Sequence, residues 1–139
     1  MMRIAHCMIR VGDLGRSLDF YVNILGMKLL RREEYPDGRF TLAFVGYDDI
    51  DHRCVIELTY NWDTSLYSHG DSFGHLAFEV DDVFDQCSRL AAAGVRVVRP
   101  AGPMAHASPD REESEIIAFV EDPDGYRIEL VQSGEERRR

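Results

Sequence analysis

Two halves of this chain carry the same order of signals, and a repeat of that size points to a fold built from two copies of one module. In the first half an apolar run, Ile4 to Val11, is short enough for a buried strand and leads into the turn-like Gly12-Asp13-Leu14-Gly15. Residues Arg16 to Leu25 then place Leu18, Tyr21, Val22 and Leu25 at the i, i+3, i+4, i+7 spacing of one buried helical face, and Gly26 supplies a C-terminal stop. Strands are predicted over Lys28 to Glu34, Arg39 to Gly46 and Arg53 to Tyr60. The second half opens with a strand over His75 to Val80, an Asp81-Asp82 turn, a helix over Val83 to Ala93 and a stop at Gly94. Further strands are predicted over Val95 to Arg99, Glu115 to Glu121 and Tyr126 to Gln132, the last two joined by a tight reversal at Asp122-Pro123-Asp124-Gly125. Each half reads βαβββ. The expected class is α+β, with an N-terminal module over residues 1–67, a C-terminal module over 68–139, and a charged tail over 133–139.

The repeat extends to the residues that carry chemistry. His6 lies five residues before Val11 and seven before Asp13; His75 lies five before Val80 and seven before Asp82. The helix-ending glycines follow their histidines by 20 and 19 residues, and Glu57 and Glu129 follow them by 51 and 54. A single histidine in an apolar strand is more often a hydrogen-bonded core residue than a ligand. Two histidines and two glutamates at equivalent places in two modules reverse that reading. Each interrupts an apolar strand, where a carboxylate bears a desolvation cost of several kcal/mol unless a cation or donor compensates. Two imidazoles and two carboxylates form a mixed N/O set suited to a divalent ion such as nickel, cobalt, iron, manganese or zinc. An octahedral ion with four protein ligands keeps two positions for water or substrate oxygens, which supports Lewis-acid chemistry on an oxygen-rich substrate. His52, His69 and His106 fall in predicted loops without matching partners and read as surface residues.

Composition narrows the partners. The formal net charge of -9, with no Lys/Arg-rich face before Arg137-Arg138-Arg139, argues against nucleic acid. The stretch Met1 to Arg10 lacks a signal-peptide h-region and no apolar run approaches the roughly 20 residues that span a bilayer, so no membrane partner and a cytoplasmic location are expected. Cys7, Cys54 and Cys87 form an odd set without CxxC spacing and are expected to be reduced, buried thiols. At 139 residues, two lobes of about 70 residues each must support one another to bury enough core.

The stretches MIRVGDLGRSLDFYVNILGMKLL (Met8 to Leu30), LAFVGY (Leu42 to Tyr47), VIELTYNW (Val55 to Trp62), FGHLAFEVDDV (Phe73 to Val83) and IAFVEDPDGYRIEL (Ile117 to Leu130) resemble glyoxalase I of the compact bacterial type, over about residues 2 to 132. That family belongs to the vicinal oxygen chelate superfamily, whose fold is paired βαβββ modules. The resemblance implies metal ligation by His6, Glu57, His75 and Glu129, with each pair contributed by a different subunit of a homodimer. It implies that Glu129 is the principal base, shuttling a proton from C1 to C2 of the hemithioacetal of methylglyoxal and glutathione, and that Glu57 is the opposing carboxylate. Arg10 and Asn61 match the residues that hold the glutamyl end of the thiol. The favoured ion is Ni2+ or Co2+, with Zn2+ also accommodated.

Two departures bear on the thiol: Asp71 stands where some members place an arginine, and GPMAHASPDREESE (Gly102 to Glu115) is longer and more acidic than in compact relatives. Pro109 to Glu115 is expected to be a mobile loop near the entrance. The same superfamily hosts thioester epimerases, extradiol dioxygenases and metal-free drug-binding modules. The two-His, two-Glu set with VIELTYNW argues against the enzyme rivals, and the presence of all four ligands argues against the binding module.

Overall fold

The structure, a computed structural model, describes residues 1–47 and 54–134 of the chain. It divides into two compact units, Met1–Gly70 and Asp71–Arg139. His52 and Arg53, and the arginines of the C-terminal tail, lie outside the described residues.

The N-terminal unit runs β1 (His6–Arg10), α1 (Leu14–Leu18), a π-helical segment (Asp19–Ile24), β2 (Lys28–Tyr35), β3 (Phe40–Gly46) and β4 (Val55–Asn61). Its sheet order is β1-β4-β3-β2, with β1 and β4 parallel and the other neighbours antiparallel. The C-terminal unit runs β5 (His75–Val80), α2 (Val83–Ala92), β6 (Val97–Pro103), β7 (Ile116–Glu121) and β8 (Arg127–Gln132), in the order β5-β8-β7-β6 with the same parallel pair. Each unit is therefore a βαβββ module with a four-stranded sheet.

The second helix begins at Val83 as expected, whereas α1 begins at Leu14, two residues ahead of Arg16 and inside the stretch read as a turn. Asp13 and Asp82 are extended N-cap residues whose carboxylates accept from the backbone N–H groups of Arg16 and Asp85, at 3.0 and 3.1 Å. In α2 the buried residues Val83, Cys87 and Leu90 form one face, and Gly94, at φ 89°, supplies the left-handed stop. The core of each unit lies between helix and sheet: Ile9, Val11, Leu14, Phe20, Tyr21, Ala43, Val45 and Leu58 in the first, and Val83, Leu90, Ala118, Val120, Ile128 and Leu130 in the second. Those strand residues alternate with the polar ones, so the opposite face of each sheet carries the chemistry.

Three expectations are corrected. Arg16 to Leu25 is not one α-helix: α1 ends at Leu18 and gives way to a π-helical turn closed by the Leu25 N–H on the Phe20 carbonyl at 2.9 Å. The extra residue per turn lets the adjacent Phe20 and Tyr21 both enter the core with Leu14 and Ser17, whereas Leu18, Val22 and Leu25 are only half-buried. The strand expected to end at Arg99 continues to Pro103 through two register shifts. Pro100 and Pro103 have no N–H to donate, and Arg99 compensates by donating through its guanidinium to the carbonyls of Pro100, Gly102, Pro103 and, across the sheet, Ile117. Finally, Cys7 and Cys54 are exposed, and of the three thiols only Cys87 is buried, on the core face of α2.

The reversal between β7 and β8 is held as expected. Asp122 Oδ1 accepts from the N–H groups of Asp124 and Tyr126, each at 2.9 Å, and Gly125 takes φ 88°. Among the described residues no helix is long and apolar enough to cross a membrane.

Candidate active site

Strand register brings each histidine to its own module's glutamate. In the first unit His6 is the register partner of Val55, and Glu57 stands two residues further along β4. In the second, His75 is the partner of Arg127, and Glu129 again stands two residues further on. The same diagonal of a parallel strand pair thus joins both couples. His6 Nε2 lies 2.7 Å from Glu57 Oε2, and His75 Nε2 lies 3.4 Å from Glu129 Oε1. The imidazoles are 40% and 41% exposed while the carboxylates are 13% and 17% exposed, so each pair is rooted in its sheet with the ring edge open.

The surroundings repeat too, through residues that the polar spacing did not single out. Phe44 is the register partner of Glu57, and Phe119 that of Glu129. Each phenyl ring meets its module's imidazole edge to face, with centroids 5.5 Å apart for Phe44 and His6 and 5.2 Å for Phe119 and His75. These contacts limit rotation of the imidazoles. The sequence repeats an Ala-Phe-Val triplet at both places, Ala43-Phe44-Val45 and Ala118-Phe119-Val120, but the triplet alone does not tell a core phenylalanine from one beside an imidazole.

The modules differ around the carboxylates. Thr59, buried two residues beyond Glu57, donates its hydroxyl to Glu57 Oε1 at 3.3 Å. The equivalent position beyond Glu129 is Val131, which has no hydroxyl. Glu57 is therefore held at both oxygens, whereas Glu129 meets His75 through one oxygen, at a longer distance.

Arg10 and Asn61 fall on the His6 face by register, since Arg10 is the partner of Thr59 and Asn61 lies two residues beyond it. Arg10 is exposed, and the Asn61 amide donates to the Tyr67 hydroxyl at 3.0 Å. The same face continues onto β2. Arg31 lies over the Phe44 ring at 4.3 Å and pairs with Glu33, which also accepts from the Tyr35 hydroxyl at 2.7 Å. That hydrogen bond to Glu33 raises the Tyr35 pKa above the ordinary tyrosine value. At the far ends of β3 and β4 the Arg39 guanidinium donates to both Asp63 oxygens at 2.8 Å and holds that carboxyl below the ordinary aspartate range.

Other expected positions stand apart from these pairs. His106 is exposed and His69 half-buried, and residues 103–114, acidic segment included, are exposed. Within the segment Ser108 accepts from the backbone N–H groups of Asp110, through its hydroxyl, and Arg111, through its carbonyl.

The pairs suit a metal ion one half at a time. Two donors about 2.1 Å from one ion and at right angles lie about 3 Å apart, a value that the two observed separations bracket. Among the described residues no group of three or more His, Cys, Asp and Glu is placed to hold an ion. Each unit therefore offers two donors, one nitrogen and one oxygen, and a four-donor set requires both kinds of half-site.

The profile of the Glyoxalase/Bleomycin resistance protein/Dioxygenase superfamily matches residues 3–130. Lactoylglutathione lyase of Neisseria meningitidis is 58% identical over 131 residues, covering 94% of this chain and 91% of that protein. The lactoylglutathione lyase of Haemophilus influenzae is 49% identical over 132 residues, covering 95% of this chain and 93% of its own. Crystal structures agree: glyoxalase I from Zea mays superimposes with a TM-score of 0.86 at 38% identity, over 96% of this chain and 45% of the maize chain, so this chain spans about half of the maize one. The repeated module, its His–Glu pairs and these likenesses place the chain in the Glyoxalase/Bleomycin resistance protein/Dioxygenase superfamily, in its glyoxalase I (lactoylglutathione lyase) branch.

Proposed function

We infer that this protein is a metal-dependent glyoxalase I, converting the hemithioacetal of methylglyoxal and glutathione to S-D-lactoylglutathione. The observation that carries the reading is the recurrence of one His–Glu pair on the same diagonal of both parallel strand pairs. His6 and Glu57 from one half-site, with His75 and Glu129 from the other, would hold a divalent ion. When bound, that ion supplies a Lewis acid for the two vicinal substrate oxygens and stabilises negative charge developing on them. Nickel or cobalt is the favoured ion, a homodimer the assembly that completes the set, and the cytoplasm the setting.

Glu129 is assigned the proton transfer. Its carboxylate has the looser contact of the two, 3.4 Å to His75 with no hydroxyl two residues on, and this suits a group that must take a proton from C1 and return it at C2. Glu57, held by His6 and Thr59, suits the opposing and more static role. Arg10 offers a fork for the glutamyl carboxylate of the thiol, and Asn61, oriented by Tyr67, offers amide groups beside it. Phe44 and Phe119, edge to face with the imidazoles, help to set the ring planes.

The test is a thioester-forming assay on metal-free protein, reloaded separately with Ni2+, Co2+ and Zn2+. Activity is expected to vanish on chelation and to return more fully with nickel or cobalt than with zinc. Glu129→Gln should remain folded and lose turnover by at least about 100-fold, in line with removal of a general base. Full activity in metal-free protein would overturn the assignment.

A further inference from the structure

The register that puts His6 beside Glu57 on one face of the N-terminal sheet puts two thiols together on the other. Cys7 is the partner of Ile56, and Cys54 stands two residues before Ile56, immediately ahead of β4, so the three side chains share a face. His6 reaches to the residue two after its partner, and Cys7 to the residue two before. Opposite diagonals closing on opposite faces is what the right-handed twist of a strand pair produces. The Cys54 thiol donates weakly to the Val55 carbonyl at 3.9 Å, and both cysteines are exposed. Partial burial, and then the neighbouring Cys7 thiol, push the Cys54 thiol above its ordinary value. Neither takes part in the catalysis inferred above.

We propose that Cys7 and Cys54 are a reversible oxidation site that closes to an intrachain disulfide on meeting a low-molecular-weight disulfide such as oxidised glutathione. One protein thiol attacks the small disulfide, forming a protein–glutathione mixed disulfide and releasing one glutathione thiol. The second protein thiol then displaces the bound glutathione. The protein gives up two hydrogens and two electrons, and one small disulfide becomes two thiols. Directly opposed residues on neighbouring strands lie about 4.8 Å apart, and Cys54 stands two residues off that position, so closure needs the chain immediately ahead of β4 to shift toward Cys7 until the Cα separation falls to the value of about 4.4–6.8 Å that a disulfide needs. The cross-link ties β1 to the start of β4 from behind, on the face away from His6 and Glu57. Cys87, buried on the core face of α2, stays reduced.

The experiment exposes the full chain to oxidised glutathione, blocks remaining thiols with an alkylating agent, and reads intact mass and a non-reducing peptide map. The expected product has lost two hydrogens, carries alkylation only at Cys87, yields one peptide joining Cys7 to Cys54, and reverts on treatment with a dithiol. Cys7→Ser and Cys54→Ser should each stop at a single stable glutathione adduct, while Cys87→Ser should still close. Two glutathione adducts without a cross-link, alkylation of all three thiols, or a cross-link only between chains would each overturn the proposal; the wild-type measurement decides this even if a serine variant fails to fold.

Discussion

At Glu57 both carboxylate oxygens are engaged, by His6 and by Thr59, whereas Glu129 has His75 on one side and Val131 where a hydroxyl would stand. Two glutamates that look alike by spacing are thus made unlike by what lies two residues further on. Thr59 is buried, so its hydroxyl has little access to water and its bond to the carboxylate is worth more than a surface one. Partners that orient a metal-binding carboxylate typically cost about 10- to 100-fold in metal affinity or activity when removed. Thr59→Val, close in shape, is therefore expected to weaken metal binding by about tenfold or more, read by competition with a chelator, with thermal stability nearly unchanged. Unchanged metal affinity would mean that the hydroxyl does not orient Glu57. His6, Glu57, His75 and Glu129 were legible from spacing because a polar residue in an apolar strand is conspicuous. Phe44 and Phe119 were not, because a phenylalanine in a strand looks the same whether it fills a core or buttresses an imidazole.

The two modules solve one problem at the level of elements with different local means. Both helices begin at an aspartate seven residues after the histidine, and that much follows from capping chemistry alone. The π-helical turn over Asp19–Ile24 does not: its advantage is that Phe20 and Tyr21 are both buried, a matter of what lies beneath them. β6 is the other departure, a strand that keeps its place beside β7 despite two prolines because Arg99 donates to carbonyls from both strands. Arg99→Met should lower unfolding free energy by about 1–3 kcal/mol, measured by denaturant titration, since those carbonyls lose a charged donor. Arg99→Lys should recover only part of the loss, because an ammonium cannot reproduce the guanidinium fork. A variant as stable as wild type would show that water replaces the guanidinium without cost.

At the scale of the whole molecule, each unit carries one His–Glu pair, and the proposed four-ligand set drawn from two subunits can be tested directly. A mixture of the His6→Ala, Glu57→Ala double variant with the His75→Ala, Glu129→Ala double variant provides the check. Each is expected to be inactive alone. Random reassortment into dimers makes half of them hybrids, each with one intact site of two, so about a quarter of wild-type activity should return. Subunit exchange without recovery, or an active monomer, would exclude a shared site. The sequence by itself determined the repeated βαβββ order and the four residues that interrupt apolar strands, because each depends on local periodicity or the cost of burying charge. Only the tertiary structure decided that β1 pairs with β4 and β5 with β8, strands separated by most of a module. That pairing turned distant residues into His–Glu couples on one face and a thiol pair on the other, since which diagonal closes depends on register and twist, and neither is written in local pattern.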